Sequence, residues 1–182
     1  MTDQIPAPLV RSARPQDAAA CAAIYAPYVA DTVITFETEA PGAEAMAARI
    51  AEAQARHAWL VAEVDRQVVG YAYGQRFHPR PGYRWSCETS VYMAMDRRGQ
   101  GGGRALYGAL LARLGARGYR RALAGIAQPN PASNGIHRAF GFQDVALYRR
   151  VGWKHGAWHD VAWMELDRLP SAEEVDPPRE IT

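Results

Sequence analysis

The 182-residue sequence predicts a single α/β domain: one mixed, mostly antiparallel central sheet flanked by helices. Three observations predict it. Strand-like apolar runs alternate along the chain with segments whose apolar residues recur at helical spacing. Some consecutive strands lie close enough in sequence to be hairpins, which makes much of the sheet antiparallel. The length suits one hydrophobic core that closes without disulfides or metals.

Taken in order, 10–14 (Val-Arg-Ser-Ala-Arg) reads as a short strand, and Pro15-Gln16-Asp17 opens an alanine-rich helix carrying Ile24 and Tyr25. Pro27 is placed to kink or stop that helix. A polar and β-branched loop over 31–40 precedes a helix over 42–56, where Met46, Ile50 and Ala53 recur at helical spacing. Segments 59–64 and 68–77 are strands joined by a turn near Asp65-Arg66, apolar enough to be central. The prolines and glycine of His78-Pro79-Arg80-Pro81-Gly82-Tyr83 form a loop suited to the rim of a site, after which 85–95 returns to strand character. Leu106, Leu110, Leu111 and Leu114 mark a helix over 105–118, with Gly118 as its C-terminal stop. A strand over 121–126, a short helix over 133–140 ending at Gly141, and an antiparallel pair over 143–151 and 159–166 complete the domain. The domain so read spans 9–168, between a flexible segment 1–8 and a proline-rich, acidic tail 169–182.

Composition narrows the partners. A formal net charge of +2 with mixed signs, and no basic run interleaved with aromatics, argues against nucleic acid. No apolar run reaches the length of a membrane span, and the first residues have neither the basic region nor the apolar core of a signal peptide, so the expected location is the cytoplasm. Cys21 and Cys87 read as buried thiols in a reducing compartment, and no spacing suggests a zinc site. The expected partner is a small molecule.

The stretch Arg98-Gly99-Gln100-Gly101-Gly102-Gly103-Arg104 runs from a strand into the leucine-rich helix. Glycines there free backbone N–H groups to face an anion, and the helix dipole adds positive potential, so the turn is either a pyrophosphate cradle or only a sharp corner. A P-loop would place Lys-Ser/Thr after the last glycine, where Arg104-Ala105 stands. A dinucleotide fingerprint would need a third glycine where Leu106 stands, and would open the fold rather than sit past its middle. What the residues do fill is Arg/Gln-x-x-Gly-x-Gly/Ala, through Arg98, Gly101 and Gly103. Further on comes Asn130-x-x-Ser133-x-x-x-His137-x-x-x-Gly141-Phe142.

These two motifs, in this order, resemble the paired acetyl-coenzyme A motifs of the GNAT N-acetyltransferase superfamily, over about 10–167. Thr35-Phe36-Glu37-Thr38, Arg80 to Tyr83 with Trp85, Cys87 to Tyr92, and the long run Gly152 to Val161 are similar to the phosphinothricin and methionine sulfone N-acetyltransferases within it. The resemblance implies acetyl-CoA as co-substrate, no metal, a homodimer, and a splayed strand pair that forms the coenzyme cleft. It implies that Val91-Tyr92-Met93 pair with the pantetheine arm, and that the turn from Arg98 to Arg104 binds the pyrophosphate. Asn130 and Ser133 would line the arm's other side, although Asn130 between two prolines also reads as an ordinary turn residue.

The reaction implied is acetyl transfer to the α-amine of a small amino-acid analogue such as phosphinothricin, methionine sulfone or methionine sulfoximine. The alternatives are another small amine, or a non-catalytic coenzyme A module. Strand alternation puts Glu88, Ser90 and Tyr92 on one face and Cys87, Thr89 and Val91 on the other. A lone strand carboxylate is commonly just solvated or ion-paired, but the resemblance implies that Glu88 is the general base, most efficient with a raised pKa. His137 stands where many relatives have tyrosine, as acid toward the departing thiolate or as a substrate contact, or packs beside Phe140. For the acceptor, Arg80 and Tyr83 on the proline loop, Phe36 and Tyr92 match the resemblance, with Arg76, His78 and Arg84 as nearby cations. The aromatics of 153–160 pack between the last strands or across a subunit boundary.

Overall fold

Apolar faces on strands and helices organise residues 7–170, the part that the computed structural model describes, around one seven-stranded sheet. The strands are β1 (Leu9–Ser12), β2 (Trp59–Val64), β3 (Gln67–Arg76), β4 (Ser86–Met93), β5 (Arg121–Ala127), β6 (Gln143–Lys154) and β7 (Ala157–Leu166), in the order β1-β2-β3-β4-β5-β7-β6. Every neighbouring pair is antiparallel except β4–β5. The expected mixed, mostly antiparallel sheet is therefore present. The helices are α1 (Ala18–Asp31), α2 (Ala43–Arg56), α3 (Gly102–Ala116) and α4 (Pro131–Ala139).

Alternation along the strands supplies two cores. On one face Trp59, Val61 and Tyr71 pack with Ile24, Tyr28, Met46 and Ile50 of α1 and α2. On the other, Leu60, Ala72, Cys87 and Ala122 meet Leu106, Leu110, Leu111 and Leu114 of α3, all four leucines fully buried. Full burial of each leucine contributes roughly 1.5–3 kcal/mol. The two cysteines are unpaired and buried on opposite faces, Cys21 with α1 and Cys87 beneath α3.

Three boundaries differ from the sequence reading. Pro27 does not stop α1, which continues to Asp31, because Tyr25, Tyr28 and Val29 are buried on both sides of the proline. The last hairpin is longer than expected: β6 reaches Lys154, and β7 begins at Ala157 after a turn with His155 (φ 49°) and Gly156 (φ 73°). Much of β6 is exposed and its register shifts between Tyr148 and Gly152, which removes the alternation that a sequence reading needs. Leu169, assigned to a loose tail, is 2% exposed and its N–H donates to the Arg120 carbonyl at 2.9 Å. Packing thus reaches beyond 168, while most of the two expected flexible segments, 1–6 and 171–182, lies outside the described residues.

β1 is held by charge as well as by its ladder. Arg11 donates to both carboxylate oxygens of buried Asp17 at 2.7 and 2.9 Å and to Glu63 at 2.9 Å, while the Arg14 N–H donates to Asp17 at 2.7 Å. Among the described residues no helix is long and apolar enough to cross a membrane.

Candidate active site

β4 and β5 pair only over Ser86–Glu88 against Arg121–Leu123, and beyond that point they part. The Met93 carbonyl accepts from the Tyr28 hydroxyl at 2.6 Å, and the following N–H, of Ala94, donates to Val69. Strand alternation then turns the N–H and carbonyl of Val91 and the N–H of Met93 away from β3, into the gap, and the backbone groups of Tyr92 toward β3. The gap so offers strand-type hydrogen bonds to an extended, amide-bearing ligand.

The glycine turn closes one end of this gap. Gly99 (φ 74°) and Gly101 (φ 83°) adopt left-handed backbone, and a Cβ on either would meet nothing within 4 Å. Glycine is required there by conformation, with open space above it. Gly102 is different: its Cβ would lie 2.8 Å from Met93 Cε, so its smallness seats α3 on β4. Gly101 is the N-cap of α3 and contributes no side-chain cap, which leaves first-turn N–H groups for an anion between the exposed Arg98 and Arg104. Gly101→Val is expected to cost about 1–2 kcal/mol in stability, read by urea denaturation, and to raise KM for acetyl-CoA without changing that for the amine.

On the α2 side of the sheet, Glu88 lines a cavity of about 780 Å³ together with Tyr25, Tyr73, Gln75, Ser90 and Tyr92. Glu88, Ser90 and Tyr92 do share a face, as alternation requires. Gln75 sits directly opposite Glu88 in the β3–β4 register. Burial pushes the Glu88 carboxyl above its ordinary 4.5, and a hydrogen bond from the Gln75 side chain partly offsets that rise. Glu37 enters the same cavity, held by Arg49 at 2.7 and 2.9 Å and by the Tyr25 hydroxyl at 2.9 Å. Tyr25 also bonds Thr35 Oγ1 at 2.6 Å, and buried Lys154 donates to the Thr35 carbonyl at 2.7 Å, tying the loop before α2 to the end of β6.

A family model described as an acetyltransferase (GNAT) domain matches residues 10–163. The chain belongs to the GNAT acetyltransferase family. It is 40% identical over 158 residues to the phosphinothricin N-acetyltransferase of Alcaligenes faecalis, covering 86% of this chain and 80% of that one. It is 35% identical to the L-methionine sulfoximine/L-methionine sulfone acetyltransferase of Pseudomonas paraeruginosa, over 89% and 95% of the two chains. The crystal structure of a phosphinothricin acetyltransferase from Sinorhizobium meliloti in complex with AcCoA superposes with a TM-score of 0.89 at 34% identity, covering 96% of this chain and 95% of that one. This GNAT protein is an acetyl-CoA-dependent acyltransferase, and its parted strands and open glycine turn fit that co-substrate. Among the described residues no cluster of ligating side chains suits a metal ion.

The GNAT fold brings together some of the residues singled out from the sequence and separates others. Val91, Met93 and the turn Arg98–Arg104 border the gap. Asn130 caps α4, its Oδ1 accepting from the Ser133 N–H at 3.1 Å, so the turn-residue reading accounts for its carbonyl. His137 is buried on the α3 side, opposite to Glu88, with its ring edge-on to Tyr107 and Phe142 at 5.0 Å. Its Nδ1 engages the Ser133 carbonyl at 2.7 Å, its Nε2 has no hydrogen-bond partner among the described residues, and burial lowers its pKa, which favours the neutral ring.

Of the residues expected near the acceptor, Tyr92 and Arg76 line the Glu88 cavity. Phe36 turns instead onto Gly152, where a Cβ would run into its ring, and toward His159 at 6.3 Å. Arg80 lines a second cavity, and the half-exposed Tyr83 lies tilted against His78 with ring centroids 4.5 Å apart. Arg49, Tyr73 and Gln75 were missed. Tyr73 and Gln75 were legible only as the partners that the β3–β4 hairpin sets against Ser90 and Glu88, a register that the long intervening loop hid.

Proposed function

We propose that this acetyltransferase modifies the α-amine of a small amino-acid analogue of the phosphinothricin, methionine sulfone or methionine sulfoximine type, by direct transfer with Glu88 as general base. The observation that carries this reading is the Glu88 carboxylate, partly desolvated in a cavity wall shared with tyrosines and Gln75 at the level where β4 and β5 part. Desolvation raises its basicity, and an α-ammonium group, mostly protonated at neutral pH, must give up a proton before its nitrogen attacks the thioester carbonyl. The N–H groups of the parted strand supply donors for the oxygen of that carbonyl as charge develops. A covalent cysteine route is disfavoured by Cys87, which is fully buried on the opposite face with its thiol pKa pushed up by burial.

The names of the relatives support the acceptor class, and Arg80 with Tyr83 is assigned to its acidic end. The partner we propose is a second copy of the chain. Trp153 and Trp158, stacked edge-on at 5.3 Å, and Tyr148 and Val151 are each more than half exposed on the hairpin that ends the sheet. Light scattering is expected to give twice the chain mass, and Trp158→Arg to shift it toward one; a monomeric mass for the parent chain would remove the dimer. The unpaired thiols and the use of acetyl-CoA support a cytoplasmic location.

The test is thiol release from acetyl-CoA across phosphinothricin, methionine sulfone, methionine sulfoximine, polyamines and aminoglycosides. Turnover with the amino-acid analogues is expected. Turnover confined to polyamines or aminoglycosides would overturn the acceptor class.

A further inference from the structure

Of the 21 lysine and arginine residues in the sequence, one alone is lysine, and it is Lys154. It ends β6, a strand that is otherwise mostly exposed, and yet it is only 6% exposed itself. A buried lysine needs a partner, and this one finds it across 119 residues, in the Thr35 carbonyl that accepts from Nζ at 2.7 Å. An ammonium suits the place, being a compact point charge where a guanidinium is a broad planar fork. Alternation along β6 turns Gly152 to the same side, and there the Phe36 ring fills the space that a Cβ would take. Trp153, between them, faces the other way and is 55% exposed. His159, opposite Gly152 in the register, engages the Lys154 carbonyl through Nε2 at 2.9 Å and so braces the end of the hairpin.

The inner side of the hairpin thus pins two consecutive residues, Thr35 and Phe36. The segment that carries them, between α1 and α2, has no helix or strand of its own, so tertiary contacts set its course. Its far side enters the site, because Ile34, Thr35 and Glu37 line the Glu88 cavity. Thr35 Oγ1 bonds the Tyr25 hydroxyl, and that hydroxyl donates to Glu37. Arg49 first, then Tyr25 and the Lys154 charge, hold the Glu37 carboxyl below its usual range. A residue outside the cavity wall is therefore tied by a short chain of contacts to one side of it.

This inference rests on the reading that the Glu88 cavity receives the amine. We propose that Lys154 is a positioning residue for acetyl transfer: it fixes Thr35 and Phe36 from behind, and so sets the Tyr25–Glu37 wall that the amine meets in the Glu88 cavity. The coenzyme side, built on β4 and the glycine turn, is not set by it.

The experiment measures kcat and both KM values for the parent, Lys154→Met, Lys154→Arg and Gly152→Ala, using whichever amine of the panel above the parent turns over fastest. Lys154→Met keeps the reach of the side chain and loses the ammonium. It is expected to raise KM for the amine about tenfold, the factor equivalent to one charge-assisted hydrogen bond, with KM for acetyl-CoA unchanged. Lys154→Arg keeps the charge without the compact shape and should recover part of the loss. Gly152→Ala leaves the lysine in place but evicts the Phe36 ring, and should raise the amine KM in the same way; it carries the test alone if Lys154→Met does not fold. Amide exchange at Ile34 and Glu37, whose N–H groups donate to Thr32 and Thr35 Oγ1 at 3.2 Å, should quicken in Lys154→Met while that of α3 does not. A merely structural lysine would lower Tm and the active fraction and move neither KM. That result, equal changes in the two KM values, or unchanged exchange at Ile34 and Glu37 would overturn the proposal. A parent active only on polyamines or aminoglycosides would remove the acceptor class and leave this comparison intact. A Lys154→Met enzyme that matches its parent on an amino-acid analogue would remove the proposal and leave the class standing.

Discussion

Glu88→Gln is expected to lower kcat by about 10²–10⁴-fold at neutral pH, the range that a positioned general base supplies. The parent's kcat/KM should rise with pH as Glu88 loses its proton, at a pH above 4.5 because burial raises its pKa. In the variant that limb should vanish, leaving only the deprotonation of the amine. The same substitution should stabilise the protein. A carboxyl whose folded pKa lies above its unfolded value contributes stability that is complete below the unfolded pKa and is lost as pH rises through the folded one. At pH 7 the charged, desolvated Glu88 is therefore a cost, which glutamine removes while keeping the shape and a partner for Gln75. Melts at pH 7 should show a Tm a few degrees higher for the variant, with the difference shrinking toward pH 4. Equal Tm at pH 7 together with unchanged turnover would mean a solvated carboxylate and a different base.

The largest loss of stability is expected at the other end of the chain, in Asp17→Ala. It would leave the Arg11 guanidinium, 19% exposed, with Glu63 alone, and the Arg14 N–H without its acceptor. Removing one member of a buried ion pair costs about 3–5 kcal/mol, a shift in Tm of about 2–4 °C per kcal/mol in a chain of this length. The hydrogen bonds from Arg11 hold the Asp17 carboxyl below its usual 3.8, ahead of the opposing effect of burial. Its contribution is thus present above that value and is lost as pH falls through the lower, folded pKa. The gap between parent and variant in urea titrations should accordingly narrow in acid. A loss under about 1 kcal/mol at pH 7 would show that the pair is screened like a surface one.

The comparison of sequence with structure turns on where periodicity survives. The leucines of α3 and the alternation of β4 were readable because one face of each is buried and the other is not, and the same alternation put Glu88 on the correct side of the sheet. The glycine turn was readable because left-handed backbone at Gly99 and Gly101 restricts the residue type. The acceptor side was less so. Thr35-Phe36-Glu37 was recognised as a unit, yet the backbone directs Thr35 and Glu37 to Tyr25 and Phe36 away to Gly152, which only the packing of a distant hairpin decides. His137 was legible as a motif position and, in one reading, as a ring packed beside Phe140, but its ring partners Tyr107 and Phe142 were not, since they come from outside its helix. Lys154 had no assigned role, and acquires one only when β6 brings it beneath Thr35.

The burial of both cysteines has a practical reach. Cys21 and Cys87 are each 0% exposed, and burial raises both thiols, that of Cys21 to about 12. The folded chain should therefore be silent to an aromatic disulfide reagent, and colour developed during turnover would count departing coenzyme alone. The same reagent, added with substrate omitted, becomes a clock for global opening. Two equivalents per chain should appear together at the unfolding rate, because one sulfur guards each face of the sheet and neither face can be exposed by fraying at an edge.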